Sequence, residues 1–370
     1  MLSILSGNTQ KNNMKILLIK YRNIGDVLLV TPLLTNLKLF YPNAEIDIAL
    51  NHGTEEMISL NPNISSILIY DRAKNKSLNL IRKLFNELNF FFSFRRKKYE
   101  IVINLTEGDR GGLISLLSKA PFRIGHKSSN WFLRNAYTET LPGQKFRHTI
   151  ETNLDPLRSL EIPAKSKKVE IFWSDKEDHI INNELSNINK FIHIHPVSRW
   201  LFKCIEDKAM AKVIDFCELK LGFKVVITAD SNPYEINKVN NILRYCSSDP
   251  RNLSGKLTLK QTAALNKRAK LFIGVDTAIM HISAANNTPV FAFFGPSGAD
   301  HWGPWDNTLA TSTYNKRNGL QAMGMHRVFA ESRACQPCGK DGCNGTKISD
   351  CLMSMDIDLI KASISEMLND

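Results

Sequence analysis

The chain has 370 residues, 43% of them apolar and 23% charged, with 48 Lys and Arg against 36 Asp and Glu for a formal charge of +12. That length predicts two domains, and the composition is that of a chain able to bury full cores, which excludes a disordered or fibrous protein. No apolar run approaches the ~20 residues that a bilayer-spanning helix needs. The leader MLSILSGNTQKNNM lacks the apolar core of a secretory signal, so the expectation is a cytoplasmic protein with a flexible N-terminal extension over 1–13. The positive charge raises local concentrations of phosphates, nucleic acid or anionic membrane without choosing among them. Seven cysteines in a chain without an export signal read as reduced thiols or metal ligands.

In chain order, KILLIK is a buried strand, followed by the loop NIGD and a helix over DVLLVTPLLTNLKLFYP that Pro42 ends. EIDIAL (strand), HGTEEMISL (helix) and SILIYD (strand) come next, then a basic helix over 77–98, YEIVINL (strand), GGLISLLSKA (helix) and PFRIGH. The segment from about 160 to 190 is polar apart from the strand-like KVEIFW and reads as a linker. The second half restarts at KFIHIHP, with a helix over EDKAMAKVIDFCELKLG, strand KVVITAD, helix PYEINKVNNILRYC, strand LFIGVD, helix TAIMHISAANN and strand VFAFFGP. Strands alternating with helices specify an α/β fold of parallel sheets. The expected architecture is two Rossmann-like domains facing an interdomain cleft, over 14–175 and 176–355. A Cys-rich insertion occupies 333–352 and a C-terminal helix 356–370. Ligands of such sheets bind beyond the carboxyl ends of the strands, where NIGD and GVDT both fall.

In LFIGVDTAIMHISAANN a strand runs directly into Asp276 and Thr277, and a helix begins. Either residue is a good N-cap, which alone explains its presence. A helix start with a hydroxyl and free N–H groups is also a phosphate site, and His281 lies one turn in, with the Gly/Pro-rich FFGPSGADHWGPW at the next strand end. Neither half has a G-x-G-x-x-G after its first strand, which disfavours a dehydrogenase. Gly25–Asp26 by itself reads first as a solvated turn and second as a base at the mouth of a sheet.

Taken together and in order over most of 14–310, KILLIKYRNIGDVLLVTPLLTNLKLFYPNAEIDIAL, HPVSRWLFKCIEDKAMAKVI, LSGKLTLKQTAALNKRAKLFIGVDTAIMHISAA and FGPSGADHWGPW resemble the ADP-heptose-dependent lipopolysaccharide heptosyltransferases, glycosyltransferase family 9. The S-R-W…F-K-C run is most like the heptosyltransferase III type. The resemblance implies a GT-B fold, with an ADP-heptose donor in the C-terminal domain and a phosphorylated lipopolysaccharide inner-core acceptor in the N-terminal one. It implies inversion at the anomeric carbon with no catalytic metal and no cofactor. Asp26, beside Gly25, matches the family's general base, which takes the acceptor hydroxyl's proton. The leaving diphosphate needs donors or cations; Lys203, the helix start at Asp276, Thr277 and Ala278, and His281 match that role, with Ser198 and Arg199 adding hydrogen bonds. Lys203 stands four residues beyond Arg199 where the family has three. Glu235 matches the acid that binds the donor ribose, although an exposed first-turn residue is an equal reading, and Asp276 matches the contact to the donor heptose. Of the basic residues Arg110, Arg123, His126, Lys127, Arg134, Arg147 and His148, which the pattern places on N-domain loops, Arg123 and Lys127 are the expected acceptor ligands. Expected partners are the nucleotide sugar, the lipopolysaccharide acceptor and the inner-membrane surface, with the protein peripheral on its cytoplasmic face and no nucleic acid. The alternatives are a GT-B enzyme using another nucleotide sugar and a non-enzymatic nucleic-acid-binding protein. Against the latter, the basic residues are dispersed and form no recognisable module.

Two segments stand apart. In SLNLIRKLFNELNFFFSFRRKK, Leu78, Ile81, Phe85, Leu88 and Phe92 recur at helical spacing, with Phe90, Phe91 and Phe94 broadening the stripe. Core packing is the first reading; contact with a membrane surface, with Arg95, Arg96, Lys97 and Lys98 on anionic headgroups, is the second. In the tail, Cys335, Cys338, Cys343 and Cys351 give C-x2-C-x4-C-x7-C. Four thiolates so spaced suit a structural zinc, and a set of reduced cysteines in a loop fits equally; iron–sulfur ligation fits less well.

Overall fold

The structure is a computed structural model describing residues 14–76, 79–143 and 146–369. The expected extension over 1–13 and Leu78 lie outside the described residues. Two compact units are present, one formed by the chain up to 143 with Ile150–Lys167, the other by Phe146–Thr149 with Lys168 onward.

The first unit is built on strands β1 (Lys15–Lys20), β2 (Glu45–Asn51), β3 (Ser66–Tyr70), β4 (Ile101–Asn104), β5 (Phe122–His126) and β6 (Glu139–Leu141). They are ordered β3-β2-β1-β4-β5-β6 and all parallel, which is the Rossmann order. Such strands are covered on both faces, which is why KILLIK and EIDIAL read as nearly continuous apolar runs. The helix expected after β1 is two helices, α1 (Ile24–Leu28) and α2 (Thr31–Phe40), with Pro32 at the start of α2, where its missing N–H costs nothing. The predicted helix over 52–60 is only a 3-10 turn, Glu55–Met57, closed by the left-handed Leu60 (φ 70°). α3 (Leu80–Arg96) starts at Asn79, whose Oδ1 accepts from Arg82 N at 3.0 Å. α4 (Asp109–Ser118) follows β4, and a Cβ on its Gly111 would lie 2.4 Å from Asn104 Nδ2, so the helix can pass this strand end only with glycine there.

The second unit repeats the plan. Its strands are β7 (Phe191–His195), β8 (Lys224–Ile227), β9 (Arg251–Asn252), β10 (Leu271–Val275), β11 (Val290–Phe294), β12 (Gly319–Met323) and β13 (His326–Ala330). The order is β12-β13-β11-β10-β7-β8-β9, parallel except for β12, which pairs antiparallel with β13. Helices α5 (Asp207–Asp215), α6 (Pro233–Leu243), α7 (Leu259–Asn266), α8 (Ala278–Ala285) and α9 (Ile357–Asn369) cover it. KVEIFW forms no strand. The segment read as linker instead continues into a helix, Asp175–Glu184, where Glu177 Oε2 accepts from both the backbone N–H and the hydroxyl of Ser174 (2.8 and 2.6 Å). Among the described residues, no helix is long and apolar enough to cross a membrane.

Candidate functional site

In the first unit β1 ends at Lys20, and α1 begins four residues later with Asp26 in its first turn. Asp26 is buried; its Oδ2 accepts from Asn23 N at 3.3 Å and its Oδ1 faces Arg22 Nε at 3.6 Å. Lys20 is buried beside it and donates to Leu105 O (3.4 Å) and Asn153 Oδ1 (3.2 Å). Burial pushes the Lys20 ammonium down to about 8, against the pull of the Asp26 carboxylate. Asn153 in turn donates to Leu29 O at 2.9 Å, which ties this corner to the end of α1. His126 closes β5 nearby, lowered by burial and opposed by Glu107. The carboxyl ends of β1, β4 and β5 thus gather ionisable groups where parallel sheets bind ligands. Sequence reasoning singled out Asp26 and Gly25 but missed Lys20 and Asn153; a lysine closing an otherwise apolar strand was the available signal.

In the second unit side chains from beyond three strand ends meet at Asp276. β10 ends one residue before Asp276, and Thr277 caps α8. Asp276 Oδ2 receives Lys203 Nζ at 2.6 Å, from a 3-10 turn beyond β7, and Ser297 Oγ at 2.6 Å, from beyond β11. Burial works to raise the Asp276 carboxyl, but the Lys203 charge and hydrogen bond, the Ser297 hydroxyl and His281 outweigh it and hold it below the ordinary carboxylate range. His281 is buried one turn into α8. Thr277 Oγ1 is buried with no hydrogen-bond partner among the described residues. Ser198, also buried, accepts from Trp200 N at 3.2 Å, while Arg199 is exposed with its guanidinium 5.5 Å from the Trp200 ring centroid. Glu235 is buried in the first turn of α6, which removes its reading as an exposed helix residue. It accepts from Asp230 N at 3.0 Å, and burial raises its carboxyl. Ser297 was the member that sequence reasoning missed.

Other expectations need correction. Arg123 is not a free phosphate ligand: its guanidinium donates to the carbonyls of Ala136 (2.9 Å), Ala120 (2.6 Å) and Asn135 (3.3 Å), which makes it a clasp on its own loop. Arg110 pairs with Glu87 at 2.9 Å and lies over the Tyr70 ring. His148 belongs to the second unit, buried with Nε2 2.8 Å from Gly303 O, and burial lowers it to about 3. Lys127 is exposed just beyond β5. The four-thiolate zinc site is not formed. Cys335 and Cys338 are exposed, and Cys351 is packed in the apolar core of the second unit, where burial pushes its thiol up to about 11. Among the described residues, no group of three or more His, Cys, Asp or Glu is placed to hold a metal ion.

Comparison with known proteins agrees with the fold. The family model for glycosyltransferase family 9 (heptosyltransferase) matches residues 88–328. Lipopolysaccharide heptosyltransferase 3 of Escherichia coli is 32% identical over 292 residues, covering 77% of this chain and 84% of that protein. A family 9 glycosyltransferase structure from Veillonella parvula matches with a TM-score of 0.78 at 21% identity, covering 96% of this chain and 98% of that one. The E. coli heptosyltransferase WaaC, solved with ADP, matches with a TM-score of 0.68 at 17% identity, covering 96% and 100%. These structures give the fold as GT-B. With two Rossmann-ordered sheets, a matching family model and a relative alike over most of both chains, the protein belongs to glycosyltransferase family 9, the heptosyltransferases.

Proposed function

We propose that this family 9 enzyme moves a heptose from ADP-heptose to the inner core of lipopolysaccharide, inverting the anomeric carbon in one displacement. The reading is supported by likeness to a lipopolysaccharide heptosyltransferase and to an enzyme solved with ADP. One observation carries it: the cluster at the start of α8. A buried hydroxyl left unpaired costs about 1–3 kcal/mol, so Thr277 Oγ1, beside a helix start and a lysine, is suited to a ligand's phosphate oxygen. As the donor bond breaks, negative charge grows on the leaving diphosphate. Lys203, the N–H groups at Thr277 and Ala278, and His281 supply the compensating field, with Ser198 and Arg199 at its border. Asp276 positions Lys203 and meets the donor heptose, and Glu235 accepts from the ribose hydroxyls. In the first unit Asp26 takes the proton of the acceptor hydroxyl as the new bond forms, leaving the acceptor oxygen to attack. Gly25 and Lys127 border the acceptor. The reaction takes place on the cytoplasmic side of the inner membrane.

The test uses core-truncated lipopolysaccharide and ADP-heptose, with the product read by mass. Asp26→Asn is expected to lower turnover by roughly 10²–10⁴-fold while ADP affinity stays within about twofold. Turnover close to that of the unaltered enzyme would remove Asp26 from the base role. A larger thermal stabilisation by another nucleotide sugar than by ADP-heptose would remove the donor assignment.

A further inference from the structure

α3 carries two apolar faces, and the one with the regular spacing points outward. Phe94 is fully buried, with Phe90 and Phe91 partly buried against Leu17, Ile19, Val102 and Ile114. Leu80, Ile81, Leu84, Phe85, Leu88 and Phe92 are instead exposed, at 81, 81, 61, 64, 46 and 52%. At about 100° per residue these six side chains fall within an arc of roughly 140°; Phe90 and Phe94 lie outside it, and the partly buried Phe91 falls near its edge. The first-ranked expectation, that the stripe through Ile81, Phe85, Leu88 and Phe92 packs on the core, is therefore corrected. The broadening phenylalanines do that work.

Charge on the helix is sorted in the same way. Its one acidic residue, Glu87, is used inward, accepting from Arg110 (2.9 Å) and from the Tyr70 hydroxyl (2.6 Å). Lys97 is also drawn inward, its Nζ 2.6 Å from the buried carboxylate of Asp47, which the Tyr99 hydroxyl shares at 2.7 Å. Arg82, Lys83, Arg95, Arg96 and Lys98 are exposed, with Arg95 within the apolar arc, Arg96 and Arg82 beyond one edge of it and Lys83 on the side of Phe90 and Phe94, and Arg72 is exposed in the short helix just before α3. The helix is thus fastened to its sheet on one side and offers apolar side chains with cations among and beside them on the other.

We propose that the outer face of α3 docks the protein on an anionic bilayer surface, its apolar arc in the acyl boundary and its cations among the headgroups. A second copy of the chain would cover the apolar area only by pressing like charges together, whereas an anionic bilayer satisfies both components. The inference is independent of the transferase reading, since it needs no turnover.

The test is flotation of the full chain with vesicles of phosphatidylglycerol and phosphatidylethanolamine, against vesicles of phosphatidylcholine alone. Binding is expected to the anionic vesicles and to fall with salt. Ile81→Ser/Phe85→Ser/Leu88→Ser should reduce partition at least tenfold. Arg82→Gln/Lys83→Gln/Arg95→Gln/Arg96→Gln should lose up to about fivefold per charge removed. Both variants should keep the parent melting temperature, because the altered side chains are exposed. The proposal is overturned by equal or absent binding to the two vesicle types, by variants that bind as well as the parent, or by a melting temperature lowered several degrees by the serine variant. Dimers of the parent that the serine variant splits would also overturn it, in favour of a second copy.

Discussion

At the scale of single residues, the pair Lys203–Asp276 joins two side chains that sequence reasoning had assigned to different parts of a donor. Their side chains are 24 and 7% exposed, so each is the main compensation for the other's charge. Removing one partner of such a pair leaves the other charge stranded, which costs more than the pair contributes. Lys203→Met is therefore expected to lower stability by about 2–3 kcal/mol, reduced from the fully buried case by the access of water to the lysine. Adding Asp276→Ala should recover most of that loss in urea unfolding but, if the proposed role of Lys203 holds, should not restore ADP affinity. Asp276, Thr277 and His281 were legible because one contiguous strand–cap–helix signal contains them. Ser297 was not, because its link to Asp276 exists only once β10 and β11 lie side by side. Arg123 shows the converse: a sequence displays an arginine's charge but not the carbonyls that take three of its five N–H groups.

At the scale of elements, α3 separates what periodicity can tell from what it cannot. Spacing identified the helix and its apolar residues, yet two apolar faces were present and the pattern does not say which one the sheet covers. The distinction is measurable. Phe94→Ala should cost about 3–5 kcal/mol, as deletion of a fully buried ring does. Phe85→Ala should stay within about 0.5 kcal/mol, as an exposed site does. Denaturant unfolding of the two variants reads this directly, and equal losses would mean that both faces are covered. The break between α1 and α2 and the missing helix at 52–60 were hidden in another way. Both stretches have helical composition, and a single proline or a left-handed Leu60 decides where the helix stops.

At the scale of the whole molecule, the alternation of strands and helices made both parallel sheets legible. The β12–β13 hairpin was not, because GLQAM and HRVFA are short and flanked by polar residues. The two units also differ in a way that pH exposes. Among its described residues the second holds buried histidines that burial keeps neutral, with His148 near 3, His195 and His326 near 4, and His193 well below its ordinary value. His193 and His195 share the Thr228 hydroxyl (2.7 and 2.9 Å), and Asn266 holds the other ring nitrogen of His193 at 3.0 Å, so a proton added here would meet donors already in place. An unfolded histidine titrates near 6.5, above every one of these folded values. The stability they contribute is complete above that pH and is lost as pH falls toward 4, by up to about 1.4 kcal/mol per pH unit for each group. Carboxylates lowered by their partners, such as Asp276 and Asp47, lose their contribution only below the unfolded carboxylate range near 4 and do not obscure this window. Between pH 6.5 and 4.5 the second unit should therefore weaken more steeply than the first, where only the half-buried His126 is lowered. Hydrogen exchange corrected for intrinsic rate should show β7 and β8 losing protection in that interval before β1 and β2. Parallel loss in both sheets would mean that the two units open together and that the buried histidines do not set the order of loss.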